Sequence, residues 1–165
     1  AALLLGVHYP QLVHGVAALA TGSVVTCGIY GEHGGGGCLH SPWTFQGRPL
    51  PYTKQWNDAA PTDVPAAVIP VDRIKGPVLL TCGMYDQVWA SCVYARAIEE
   101  RLEARHFPYR HTLYAAPRGS HFAGQDFAYW PGTLQSGASF DPTTDERDRE
   151  ELWPRLVAFL RRGGA

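Results

Sequence analysis

Val16 to Ala20 is apolar at every position, and Val78 to Cys82 is nearly so. A strand with one wet face alternates apolar and polar residues. A run without alternation has to be covered on both faces, which is the condition of a strand inside a parallel sheet flanked by helices. Thr21, Gly22 and Ser23 close the first run, while Gly76 and Pro77 open the second and Gly83 closes it. A third strand is expected over Arg110 to Ala115, ending before Pro117 and Gly119. Between the second and third strands, Cys92, Ala95, Ile98 and Leu102 recur at helical spacing, with Ser91 as the expected N-cap. Strand, helix and strand in alternation predict an α/β layered fold.

The chain opens on the tail of a helix, Ala1 to Gly6, stopped near Pro10. Its last helix is expected to begin near Thr143, which with Glu146 spells a capping box. The apolar face there is Leu152, Trp153, Leu156, Val157 and Leu160, with Gly163 as the stop. Pro154 falls inside this pattern and should kink the helix or shift its start. Two stretches stay outside the alternation. Residues 23 to 74, rich in Gly, Pro and aromatics, read as a cap or connecting excursion over the rim of the sheet, and residues 122 to 140 as a second long connection.

With 14 basic and 15 acidic residues among 165, the chain has no charge bias toward nucleic acid or another polyanion. No apolar stretch reaches the roughly twenty residues of a membrane span, and the opening lacks the basic lead-in of a signal peptide. Cys27, Cys38, Cys82 and Cys92 show no metal-binding spacing and read as reduced, buried thiols, which makes the cytoplasm the expected compartment. Met84 is the sole methionine and the first residue is Ala1, so a fragment of a longer protein is expected.

The chemistry concentrates on two loops. Gly83-Met-Tyr-Asp86-Gln-Val-Trp89 follows the second strand and Pro117-Arg-Gly-Ser-His121 follows the third. Ligands of open α/β sheets gather beyond the carboxyl ends of strands. An Asp on one such loop and a His on the next suit the acid and base of a triad in the order nucleophile, acid, histidine. Without more, Asp86 reads equally well as a turn-former and His121 as a surface residue. His33-Gly-Gly-Gly-Gly37 has the letters of an esterase oxyanion loop, but that loop precedes the nucleophile and this one lies in the excursion, so a flexible glycine loop is the better reading. His8, His14, His40, His106 and His111 lack the spacing of metal ligands, and neither metal nor cofactor is expected.

The segment from Ile69 to Gly83, with Asp86, Trp89 and Ser91 after it, resembles the C-terminal catalytic domain of acyl-CoA thioester hydrolases, a family that includes the bile acid-CoA:amino acid N-acyltransferases. Ser41-Pro-Trp-Thr-Phe-Gln-Gly-Arg-Pro-Leu-Pro-Tyr52 and Trp153 to Leu160 resemble two further family stretches. The resemblance implies the C-terminal part of an α/β-hydrolase domain spanning residues 1 to 165, an acyl-CoA substrate, Asp86 as triad acid and His121 as triad histidine. Arg118-Gly-Ser120 stands where the family commonly has a Gly-Ala-Gly-like turn. No G-x-S-x-G turn occurs. In the family an Ala-Leu-Leu-Leu-Gly helix directly follows the nucleophile turn, and Ala1 to Gly6 resembles it, so the nucleophile is expected just before Ala1 and the chain alone is expected to be inactive. Acyl transfer to an amino acid, another ester or dienelactone hydrolysis, and a non-catalytic remnant are the alternative functions. Oligomeric state is not legible.

Overall fold

The computed structural model describes residues 1–27, 40–54, 64–121 and 142–162. Its order is α1 (Ala2–His8), β1 (Val16–Leu19), β2 (Thr44–Phe45), β3 (Arg48–Pro49), β4 (Val78–Gly83), α2 (Ser91–Ala104), β5 (His111–Ala116) and α3 (Pro142–Arg162). Single 3-10 turns occur at Pro65–Ala67 and Val71–Arg73. Strands β1, β4 and β5 form a parallel sheet with β4 in the centre. Val78 pairs with Val16 on one side and with His111 on the other, and Gly83 with Ala116. The three strands lie within a residue of the runs expected from their apolar character.

The nearly unbroken apolar run of β4 has the anticipated cause. All six of its residues are buried. Val78, Leu80 and Cys82 join Leu3, Leu4 and Val7 of α1 and Ala95, Ile98 and Leu102 of α2 in one core cluster. Leu79 packs instead with Leu156 and Phe159 of α3. Alternate residues of a strand point to opposite faces, so α1 and α2 cover one face of the sheet and α3 the other. Burying a Leu or Val side chain fully contributes about 1.5–3 kcal/mol, and the central strand does so on both faces.

Several expectations need correction. Ser91 is the first residue inside α2 rather than its cap; Ala90 holds the cap position without a side-chain bond. Ser91 is fully buried, and the loop before it is organised by another side chain, the Asp86 carboxylate, which accepts from Val88 and Trp89 N–H. Helix α3 starts at Pro142, where a missing N–H costs nothing, and runs through Pro154 without a break. The side chain of Thr143 and the stop at Gly163 lie outside the described residues. The buried stripe of α3 is Asp145, Asp148, Leu152, Leu156 and Phe159, while Trp153 and Leu160 are exposed. Those five follow steps of three and four, so the stripe starts with two carboxylates that an apolar pattern does not register.

The described residues of the stretch from 23 to 74 contribute no strand to the parallel sheet. They hold the β2–β3 hairpin, which the sequence reading did not anticipate, turning at Gln46 and Gly47 with φ of 51° and 75°, as a tight two-residue hairpin loop requires. Val24 bridges to Val68 and Thr26 to Thr53. Residues 28–39 and 55–63, with His33 to Gly37 among them, lie outside the described residues, as do 122–141.

The reading of reduced thiols is overturned. Cys82 and Cys92 form a disulfide, with Cα atoms 5.0 Å apart, and Cys27 is disulfide-bonded too. Among the described residues no cysteine is free. Cys82 ends β4 and Cys92 starts α2, so the strand–loop–helix turn brings together two residues separated by ten in sequence. The cytoplasmic expectation rested on free thiols, and that premise does not hold.

Candidate active site

Parallel neighbours end on the same edge of a sheet, so the loops leaving β4 and β5 start side by side. Met84 N–H donates to Ala116 O at 3.0 Å and Tyr85 N–H to Gly119 O at 2.9 Å, which sews the two loops together. Gly83 permits this approach. A Cβ there would stand 2.0 Å from Ser120 O and 2.5 Å from Gly119 O, closer than any side chain tolerates.

On this joined rim Asp86 meets His121, with Oδ2 2.9 Å from Nδ1. The Asp86 side chain is 1% exposed and the imidazole 17%. The other carboxylate oxygen, Oδ1, accepts Val88 N–H at 2.9 Å and Trp89 N–H at 3.1 Å. Asp86 is therefore both a turn-former and a partner of the histidine; the two readings of it are compatible because a carboxylate has two oxygens. Burial works to raise its pKa. The hydrogen bonds from His121 and Trp89 N–H, with the electrostatic attraction of the imidazole, outweigh that effect and hold the carboxyl below its ordinary range. Among the described residues the buried Ser91 hydroxyl beside this carboxylate has no hydrogen-bond partner. An ionised Asp on Nδ1 fixes the tautomer that leaves Nε2 able to accept a proton.

Trp89 ties this pair to the rest of the rim. Its indole N–H donates to Ala20 O, just past β1, at 3.1 Å. Its ring meets the His121 imidazole edge-on, with centroids 6.1 Å apart. The same indole lines a cleft of about 480 Å³ whose walls include Leu3, Leu4, Val25, Trp43 and Ile69, and Ala1 at the entry to α1. The cleft is mainly apolar, as sites for acyl or aromatic ligands are.

A second anchor was missed from sequence. Asp145, fully buried in the first turn of α3, accepts Ser120 N–H at 2.7 Å through Oδ1 and the Ser120 hydroxyl through Oδ2. The available signal was the helical spacing that puts 145 and 148 on the stripe of Leu152. Nearby, the single Tyr114 hydroxyl proton is shared between Asp148 O at 3.3 Å and Glu151 Oε2 at 3.2 Å from Oη, under a cation–π contact from Arg155. Burial and the carboxylates of Asp148 and Glu151 push the phenol up to about 12. Of the other histidines, His8 stacks on Phe45 and His111 lies edge-on to Phe107. Among the described residues no group of three His, Cys, Asp or Glu could hold a metal ion. No helix there is long and apolar enough to cross a membrane.

Fold and rim define a helix-flanked parallel-sheet domain whose adjacent strand ends carry an Asp–His pair. Residues 43–162 match the family described as BAAT / acyl-CoA thioester hydrolase C terminal, and the chain belongs to that family. It is similar to acyl-coenzyme A thioesterase 6 of Mus musculus, 27% identical over 117 residues, a match covering 65% of this chain and 27% of that protein. The matched region thus spans about a quarter of that relative's length.

Proposed function

We propose that this chain supplies the acid and the base of a triad that hydrolyses acyl-CoA thioesters on an α/β-hydrolase scaffold. The observation that carries the reading is the 2.9 Å contact between Asp86 and His121 at the carboxyl end of adjacent parallel strands, in a chain of the thioester hydrolase family. The nucleophile, a Ser or Cys, stands on the turn entering α1. Two features support that placement. Ala1 shares a cleft with Trp89, and Trp89 touches His121.

In this mechanism His121 Nε2 takes the nucleophile's proton as the oxygen or sulfur attacks the thioester carbonyl. Backbone N–H groups after the nucleophile and from an earlier strand loop hold the oxyanion. Collapse of the tetrahedral intermediate breaks the carbon–sulfur bond, and the proton held on Nε2 leaves with the CoA thiol. Water then enters, gives its proton to Nε2 as it attacks the acyl-enzyme, and the nucleophile recovers that proton when the carboxylic acid departs. Asp86, kept ionised, holds the ring and stabilises each imidazolium. The apolar cleft beside Trp89 takes the acyl chain.

The test is thiol release from acyl-CoA by the full-length gene product. His121→Ala and Asp86→Asn should each lower kcat by about 10³-fold or more, with folding intact. Full turnover in His121→Ala would refute the assignment. The 165 residues by themselves should show no turnover. Transfer to an amine shares the acyl-enzyme, so amide product with glycine or taurine in the same assay would change the acceptor and leave the Asp86–His121 pair in place.

A further inference from the structure

We propose that Asp145 is a positioning residue for His121, acting from the far side of the sheet through one peptide plane. The inference rests on the reading of Asp86 and His121 as the catalytic pair. The plane is that joining Gly119 to Ser120, the last full peptide but one before the histidine. Its carbonyl accepts from Tyr85 N–H of the acid loop at 2.9 Å. Its N–H donates to Asp145 Oδ1 at 2.7 Å. One polar group is thus tied to the loop that bears Asp86 and the other to α3. A peptide held at both ends cannot rotate, so the direction in which the chain enters His121 is fixed.

The second Asp145 oxygen takes the Ser120 hydroxyl, which locks the side chain on that same plane. Gly83 closes the remaining direction, since Ser120 O sits where a Cβ would be. Burial makes this arrangement costly. Asp145 is fully buried and Ser120 is 4% exposed, and desolvating a carboxylate usually destabilises a fold more than an apolar replacement would. A buried carboxylate whose two oxygens both serve the residue before the histidine contributes placement rather than net stability.

The experiment compares steady-state kinetics of the full-length gene product and its variants, with unfolding curves to correct for the folded fraction. Asp145→Ala should lose about 30-fold in kcat with KM within about twofold, because a displacement near 1 Å can cost about 10²-fold. Asp145→Asn keeps an acceptor for the N–H and should stay within about threefold. Should the alanine variant not fold, Asp145→Glu retains the charge but is one methylene longer, and should lose about 10-fold in kcat. A second readout is the low-field proton resonance of His121 Nδ1–H, expected to survive in Asp145→Asn and to broaden or shift in Asp145→Glu and Asp145→Ala. Unchanged kcat and an unchanged resonance in folded Asp145→Ala or Asp145→Glu would overturn the proposal, as would losses equal to the unfolded fraction. Full activity in His121→Ala would instead overturn the underlying catalytic reading, a separate and recognisable result.

Discussion

Replacing Gly83 by alanine tests the close contact between the two rim loops. The added methyl would lie 2.0 Å from Ser120 O, 2.5 Å from Gly119 O and 2.8 Å from the Ser120 carbonyl carbon. Ordinary carbon–oxygen contact needs about 3.3 Å, so the Ser120 carbonyl has to retreat by about 1 Å or more. The obstructing atoms are backbone, and the backbone on both sides is hydrogen-bonded to Tyr85 and Asp145. No flexible side chain can swing away to make room. Overpacking of this kind costs about 3 kcal/mol at the upper end of the usual range, which in a chain of this size lowers Tm by about 6–12 °C. The displaced residue adjoins His121, so on the proposed function kcat for thioester hydrolysis by the full-length gene product should also fall by about 10²-fold. Differential scanning fluorimetry of the chain reads the first effect, and thiol release by the full-length gene product reads the second. Gly22→Ala is the stability control, its methyl meeting only Val24 O, at 3.5 Å, among the described residues, with an expected Tm change within about 2 °C. A Gly83→Ala protein with Tm within 2 °C and kcat within about twofold of the parent would refute the argument from close approach.

Three further outcomes follow from the same contacts. Asp148 is buried, its Oδ2 has no hydrogen-bond partner among the described residues, and burial with the neighbouring Glu151 and Asp145 charges raises its pKa. A raised carboxyl pKa means the folded state loses stability as pH climbs through the unfolded value near 4, so Asp148→Asn should raise Tm at pH 7, with the gain shrinking toward pH 4; a lower Tm at pH 7 would count against it. The opposite sign holds for Asp86, whose lowered pKa stabilises the fold above about pH 4 and ceases to do so as pH falls through the folded value; an acid titration of Asp86→Asn should show a shallower loss of stability than the parent. Joint Cys82→Ala and Cys92→Ala substitution opens a loop of ten intervening steps and should cost about 2–3 kcal/mol by the chain-entropy argument, read as a shifted denaturant midpoint.

The parts of this molecule that sequence conveyed are those where burial dictates residue type. Val78 to Gly83 had to be a strand covered on both faces, whereas Val16 to Leu19 is a strand buried on one face and half-buried on the other, and Cys92, Ala95, Ile98 and Leu102 had to be one face of a helix. Asp86 and His121 stood out because strand ends in parallel order place their loops together. Contacts made by residues of the wrong apparent polarity, or across a turn, left no such trace. Asp145 looks like a solvated helix start and is fully buried. Trp153 and Leu160 look like core and are exposed. Cys82 and Cys92 pair only once the loop between β4 and α2 has folded back, and the β2–β3 hairpin is too short to generate a periodic pattern.

The stitching of the loops after β4 and β5 has a consequence for how such domains diversify. Met84, Tyr85 and Gly83 on one segment are fitted to Ala116, Gly119 and Ser120 on the other, so neither segment is a separable module. A chimera that imports the first without the second inherits a mismatched seam, whereas a crossover placed ahead of Val78 carries both segments across as a single heritable block.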